Sequence, residues 1–132
     1  MLKYLLDTNI VIYVIKHRPP SALVAFNRHQ GELAMSAISL AELVHGAEKS
    51  QDPARNLGVL RDFRSRLSVL DYGERAAHHY GSIRSALERA GQPIGVNDFH
   101  IAAQARSEGL VLITNNLREF ARVPGLLTEN WV

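Results

Sequence analysis

Leu110-Val111-Leu112-Ile113 is an unbroken apolar run, closed abruptly by the polar triplet Thr114-Asn115-Asn116. Apolar residues that do not alternate with polar ones need cover on both faces, the condition of a strand inside a parallel sheet. Parallel neighbours cannot be joined by tight turns, so such a strand demands helical crossovers packed on the sheet. The rest of the chain reads that way. Tyr4-Leu5-Leu6, Glu32 to Ser36, Ser68-Val69-Leu70 and a last short stretch near Leu127 have strand character. Between them fall helical stretches. Ile10 to Ile15 ends at Pro19-Pro20, and a helix capped by Ser21 runs to about Gln30. Ser39 opens the next helix, with Glu42 three residues on in the pattern of a capping box. Asp52-Pro53 starts another, on which Leu57, Leu60, Phe63 and Leu67 step by three and four. A long helix reaches Ala90 and stops at Gly91, and after the loop Gln92-Pro93-Ile94-Gly95 a helix starts at Asn97 or Asp98 and stops at Gly109. A helical turn over Leu117–Arg122 follows the long apolar run. The expected architecture is α/β: helices on both faces of a central parallel sheet of about four to five strands, one domain over residues 1–132.

Composition narrows the chemistry. At 46% hydrophobic and 21% charged residues the chain is globular and not disordered. The absence of cysteine excludes disulfides, thiolate zinc sites and thiol catalysis. A formal charge of +2 permits a polyanionic partner without demanding one. No apolar run approaches the ~20 residues of a membrane span. Asp7 comes too early for a signal peptide. A cytoplasmic protein with no membrane contact is expected.

In parallel α/β sheets ligands bind beyond the carboxyl ends of the strands. The polar residues predicted at that edge are Asp7 and Asn9 after the first strand, Ser39 and Glu42 after the second, Asn97 and Asp98 at a helix start, and Thr114, Asn115 and Asn116 after the long run. Asp7, Glu42 and Asp98 thereby meet from distant parts of the chain. Two carboxylates about 4 Å apart repel by roughly 4 kcal/mol at an effective dielectric near 20. Three stay ionised together only around a cation. Oxygen ligands without sulfur select a hard ion, Mg2+ or Mn2+, which suits hydrolysis of a phosphodiester by an activated water. Taken singly, each acid is equally well a helix cap or a capping-box partner.

Four segments carry a resemblance. They are Leu6-Asp7-Thr8-Asn9; Ser39-Leu40-Ala41-Glu42-Leu43 with Gly46; Asp98-Phe99-His100-Ile101-Ala102-Ala103; and Ile113-Thr114-Asn115-Asn116-Leu117-Arg118-Glu119-Phe120. In order and spacing, over the full length, the chain resembles the PIN-domain nucleases, and within them the VapC toxins of bacterial type II toxin–antitoxin pairs. The tracts Gly46-Ala47-Glu48-Lys49-Ser50 and Val123-Pro124-Gly125 with Trp131 resemble the enteric branch. The resemblance implies a PIN-like three-layer α/β/α fold and a Mg2+- or Mn2+-dependent endoribonuclease. The implied substrate is tRNA, at the anticodon stem-loop of the initiator species, so that cutting inhibits translation. It further implies a homodimer, and a VapB-type antitoxin that forms a higher hetero-oligomer with the toxin and alone brings DNA into contact. Carried over, Asp7, Glu42 and Asp98 match the acidic metal ligands, Thr114 the strand-end threonine, and Asn9 and Ser39 supporting polar positions. Where many PIN domains carry a fourth acid this chain has Asn116, and the next acid is Glu119. Glu119 is expected to act through a water, with Asn116 orienting it and Asn115 or Asn116 directing water or phosphate.

Other features read more plainly. Lys16 and Arg18, after the first helix, are candidate RNA contacts near the same edge. The basic set Lys49, Arg55, Arg61, Arg64 and Arg66 is interleaved with acids, as in a solvated helix face. Glu42 and His45 have E-x-x-H spacing, but a bundle-type di-iron site needs a second copy, which the chain lacks. His78-His79 read as packing or surface, and Trp131 as a packing anchor. A receiver-like signalling domain also gathers acids at strand ends. It needs adjacent acids after the first strand and a lysine after the last long one, where this chain has a lone Asp7 and Thr114-Asn115. A catalytically silent binding domain on the same fold is the remaining alternative.

Overall fold

The computed structural model describes Met1–Val132. The elements are β1 (Tyr4–Leu6), α1 (Thr8–Lys16), α2 (Pro20–Arg28), β2 (Leu33–Ser36), α3 (Ala37–Glu48), α4 (Pro53–Arg64), β3 (Ser68–Leu70), α5 (Glu74–Arg89), α6 (Val96–Glu108), β4 (Val111–Ile113), α7 (Leu117–Phe120) and β5 (Thr128–Glu129). The five strands form one sheet in the order β3-β2-β1-β4-β5, every neighbouring pair parallel. The strands and their direction are those expected from the sequence.

Alternation along the strands divides the interior in two, because successive side chains point to opposite faces. Leu5, Ala34 and Leu112 join Ile83, Leu87, Phe99, Ile101 and Phe120 in one core, under α5, α6 and α7. Leu6, Leu33, Met35 and Ile113 join Ile10, Val11, Val14, Phe26 and Phe63 in the other, under α1, α2 and α4. This is the three-layer α/β/α arrangement. Each fully buried Leu, Ile or Phe contributes about 1.5–3 kcal/mol of transfer free energy, so the two cores hold β1 and β4 fixed side by side. α3 touches both cores, with Ile38 against the first and Leu40 and Leu43 against the second.

Three helix starts differ from the expectation. Ser36, not Ser39, caps α3, its hydroxyl accepting the Ile38 N–H at 3.0 Å. Ser36 closes a fully buried strand, so the helix begins as soon as the strand ends, and Ser39 is left inside the first turn. α6 begins at Val96 with Gly95 in the cap position, which places Asn97 and Asp98 in its first turn rather than at its cap. The α6 end agrees with the sequence: Gly109 takes the left-handed conformation (φ 68°) that glycine adopts without cost. α2 begins at Pro20 after an uncapped Pro19, with Ser21 inside it.

The carboxyl-terminal segment is held by an aromatic cluster. Trp131 is 8% exposed, stacks on His29 with 5.6 Å between ring centroids, and donates its indole N–H to Glu129 at 2.8 Å. Tyr4 meets both rings, so the packing role expected of Trp131 is the one observed. No helix is long and apolar enough to cross a membrane.

Candidate active site

Because the strands are parallel, all their carboxyl ends open on one edge, and β1 lies between β2 and β4. Asp7 leaves β1 at the centre of that edge and caps α1. Its Oδ1 accepts the Thr8 N–H at 2.8 Å, and its Oδ2 accepts the Thr114 hydroxyl at 2.9 Å. Only 5% of Asp7 is exposed. Burial raises its pKa, the bonds from Thr114 and Thr8 oppose the rise, and the Glu42 charge adds to it. Thr114, itself fully buried, receives the Asn116 N–H at 3.0 Å and passes its own hydrogen to Asp7.

Thr8 ties in the second acid. Its Oγ1 lies 2.7 Å from Glu42 Oε1 and 3.0 Å from Ser39 Oγ. A hydroxyl has one hydrogen, which the shorter contact with the carboxylate takes, so Ser39 supplies the hydrogen of the second contact. Ser39, fully buried, therefore supports Glu42 through Thr8. Glu42 and Ser39 both lie on α3, one turn apart.

Asp98 stands in the first turn of α6, where an acid also complements the helix dipole. A Cβ on Gly95 would lie 3.3 Å from Asp98 Oδ2, so the carboxylate would have to give by a few tenths of an ångström. No protein group hydrogen-bonds the Asp98 carboxylate. Burial first, then the charges of Asp7, Glu119 and Glu42, push its pKa up to about 6. Glu119, on α7, accepts the Asn116 side-chain amide at 3.0 Å. Asp98 thus lies within the field of three other acids, one each from the end of β1, α3 and α7.

The remaining expected residues divide. Lys16 lines a cavity of about 410 Å³ between α1, α3 and α4, which shares Thr8 and Glu42 with the acidic edge and is walled by Ile12, Leu43 and Val59. Arg18 is exposed beyond the end of α1. Asn9 is exposed on α1 with no side-chain hydrogen bond. Asn115 donates its amide to the Tyr13 hydroxyl at 3.1 Å and to no carboxylate. His45 is exposed on α3, and His79 accepts a hydrogen bond from Arg106 at 2.8 Å. Thr8 is the residue that sequence reasoning left out. Its bond to Glu42 spans 34 residues of sequence, so no local signal announced it.

No three His, Asp or Glu side chains already converge into a cage. The donor set nonetheless suits a hard divalent cation. It is made of carboxylate oxygens alone, it lacks a cationic side chain among them, and the Asp98 oxygens are free of partners.

Residues 4–126 match the PIN domain family. The chain belongs to the PIN-domain family. Within it, this PIN domain is 59% identical, over the full length of both chains, to Ribonuclease VapC2 of Haemophilus influenzae. It is 54% identical to the tRNA(fMet)-specific endonuclease VapC of Shigella flexneri, with 99% of each chain covered. Among solved structures, a chain of DNA-bound VapBC from Salmonella typhimurium superimposes with a TM-score of 0.96 at 51% identity, covering both chains completely. VapBC2 of Rickettsia felis, bound to a promoter DNA fragment, gives 0.93 at 39% identity over 99% of this chain. The acidic edge described above is therefore the candidate active site of a VapC-type PIN domain.

Proposed function

We propose that this chain is the toxin of a VapBC-type pair and hydrolyses a phosphodiester bond of RNA, with the anticodon stem-loop of initiator tRNA as substrate and inhibition of translation as the result. The observation that carries this reading is that Asp98, whose carboxylate has no protein partner, stands at the carboxyl edge of the sheet in the field of Asp7, Glu42 and Glu119, with Asp7 and Glu42 both bonded to Thr8. The choice of tRNA rests on the name of the Shigella flexneri relative.

Asp7, Glu42 and Asp98 are the residues to hold Mg2+ or Mn2+, with Glu119 acting through a water. When bound, such an ion supplies Lewis acidity toward a phosphate oxygen and a water of lowered pKa. The chain's own residues do the positioning. Thr114 fixes Asp7 and leaves its carboxylate turned toward the edge; Thr8, backed by Ser39, fixes Glu42; Asn116 fixes Glu119. Gly95, having no Cβ, leaves the tip of Asp98 uncrowded. Lys16, on the rim, is placed to meet RNA phosphate, with Arg18 beyond it.

The partner is a cognate VapB-type antitoxin, and DNA is reached only through it; the related VapBC complexes bound to DNA support a partner of this kind. A homodimer, a larger assembly with antitoxin, and action in the cytoplasm complete the reading. Mapping new 5′ ends in total RNA after brief induction tests it. One dominant cut in the initiator anticodon loop is expected, lost in Asp7→Asn and in excess chelator. Cuts scattered over messenger RNA would overturn the tRNA assignment, and cutting that survives chelation would overturn the metal.

A further inference from the structure

α1 presents three faces. Ile10, Val11 and Val14 are in the core, and Thr8, Ile12, Ile15 and Lys16 line the cavity beside Glu42. The third carries Asn9 and Tyr13, four residues apart and so in register on one side. Tyr13 rests its ring against the core under the sheet, and its hydroxyl emerges to accept the Asn115 amide at 3.1 Å. Asn115 is exposed and follows Thr114 directly, so the pair stands one residue from the Thr114–Asp7 bond. The hydroxyl hydrogen of Tyr13 and the carbonyl oxygen and main-chain N–H of Asn115 have no partner within the protein.

We infer that Tyr13 and Asn115 form a ledge that receives one unpaired base of the RNA next to the scissile phosphate and sets which base is accepted. The inference rests on the nuclease reading above. The carboxylates and the cation they hold meet phosphate, which is the same beside every base, so selection beside the cut must come from groups that can bond a base. A phenol hydroxyl and a planar amide are such groups. Unpaired bases are recognised by hydrogen bonds to their edges, and with the Tyr13 ring packed on the core it is the hydroxyl and the amide that are presented. The asparagine amide, with an acceptor and a donor side by side, matches the paired donor and acceptor of a base edge, adenine's above all. An amide this exposed gains little stability from the tyrosine bond, because water would serve it nearly as well. The bond instead holds the amide plane in one orientation before the base arrives, which lowers the ordering cost of binding. Tyr13 and Asn115 bind the base in this account, and the carboxylates carry the chemistry.

The test uses the full-length protein with Mn2+ and a fluorescein-labelled RNA hairpin with an unpaired loop, in which each base flanking the cut is exchanged in turn. Tyr13→Phe removes only the hydroxyl, and Asn115→Ala only the exposed amide. Each is expected to raise KM about fivefold or more with a much smaller change in kcat, the sign of lost substrate binding. Each should also compress the spread of kcat/KM among the base-exchanged hairpins by a similar factor, which a merely structural role would not do. Thermal melting monitors the fold. The inference is overturned if KM and base preference stay within about twofold of wild type, if the loss is in kcat alone, or if only antitoxin affinity changes. A wild-type protein that cuts no hairpin with Mn2+ overturns the nuclease reading and this inference with it; variants that match an active wild type overturn this inference alone.

Discussion

Thr114 donates its hydroxyl to Asp7 at 2.9 Å across 107 residues of sequence, and the bond is buried. It joins the ends of β1 and β4, which lie side by side in register Leu6 to Ile113. The same hydroxyl accepts the Asn116 N–H, so one small side chain sets both the Asp7 carboxylate and the start of α7, where Glu119 stands. Thr114→Val keeps the shape and removes the hydrogen. It should leave Asp7 with its pKa raised further, since Thr114 opposes the effect of burial. Loss of a supporting partner to a ligating group typically costs 10–100-fold, and a fall of about that size in RNA cleavage is expected. The cost in stability should be about 1–3 kcal/mol, from a buried acceptor left short of a donor. Chemical denaturation and single-turnover cleavage measure the two effects.

Asp98 predicts the pH behaviour of the metal-free protein. Its folded pKa is about 6 against an ordinary value of 3.8. The native state therefore binds more protons than the unfolded state between these values. Stability is full below the lower one and falls as pH rises through the higher one. Melting temperature in chelator should thus drop between about pH 4 and pH 6.5. Asp98→Asn should flatten the slope, and millimolar Mn2+ should raise the melting temperature at neutral pH by mass action. A flat profile, unmoved by Mn2+, would count against both the acid coupling and the metal.

Gly95→Ala separates the fold from the site. The backbone at Gly95 has φ −61°, which alanine adopts freely, and the new Cβ meets only the tip of Asp98. The carboxylate gives way, so the fold loses only the cap preference of glycine over alanine, about 0.5–1 kcal/mol. Activity should fall by about threefold, with a higher Mn2+ requirement, because the Asp98 tip is displaced by a few tenths of an ångström. Calorimetry and metal titration of cleavage check this; wild-type metal dependence in the variant would show that Asp98 does not need the space.

Asn116 and Glu119 share a hydrogen bond of 3.0 Å, with the amide donating. If Glu119 acts on the ion through a water and Asn116 holds it, Glu119→Gln should lower activity more than Asn116→Ala, and rising Mn2+ should restore part of the loss. The reverse order would make Glu119 a bystander and leave three acids at the site.

Much of the molecule was legible because its signals are local. A short apolar run that stops at a polar residue marks a strand and its end, so Asp7 and Thr114 were placed at the sheet edge before any contact was known. Pro53 and Gly109 likewise mark a helix start and a helix end, because each restricts or frees its own backbone. Helix entry was less decided: Ser36 and Ser39 are both competent caps, three residues apart. Only the burial of β2 through Ser36 started α3 early enough to free the Ser39 hydroxyl for Thr8. Asn115 and Asn116 are chemically alike and adjacent, yet one turns to Tyr13 and the other to Glu119, because α7 begins between their roles. The sequence by itself determined which residues could form strands, helices and an acidic edge, since periodicity and turn chemistry act within a few residues. Tertiary structure alone decided that β1 lies between β2 and β4, that Thr8 joins Glu42 to Ser39, and that Asp98 stands in the field of three other acids, because those relations are set by packing between segments with no local signal for one another.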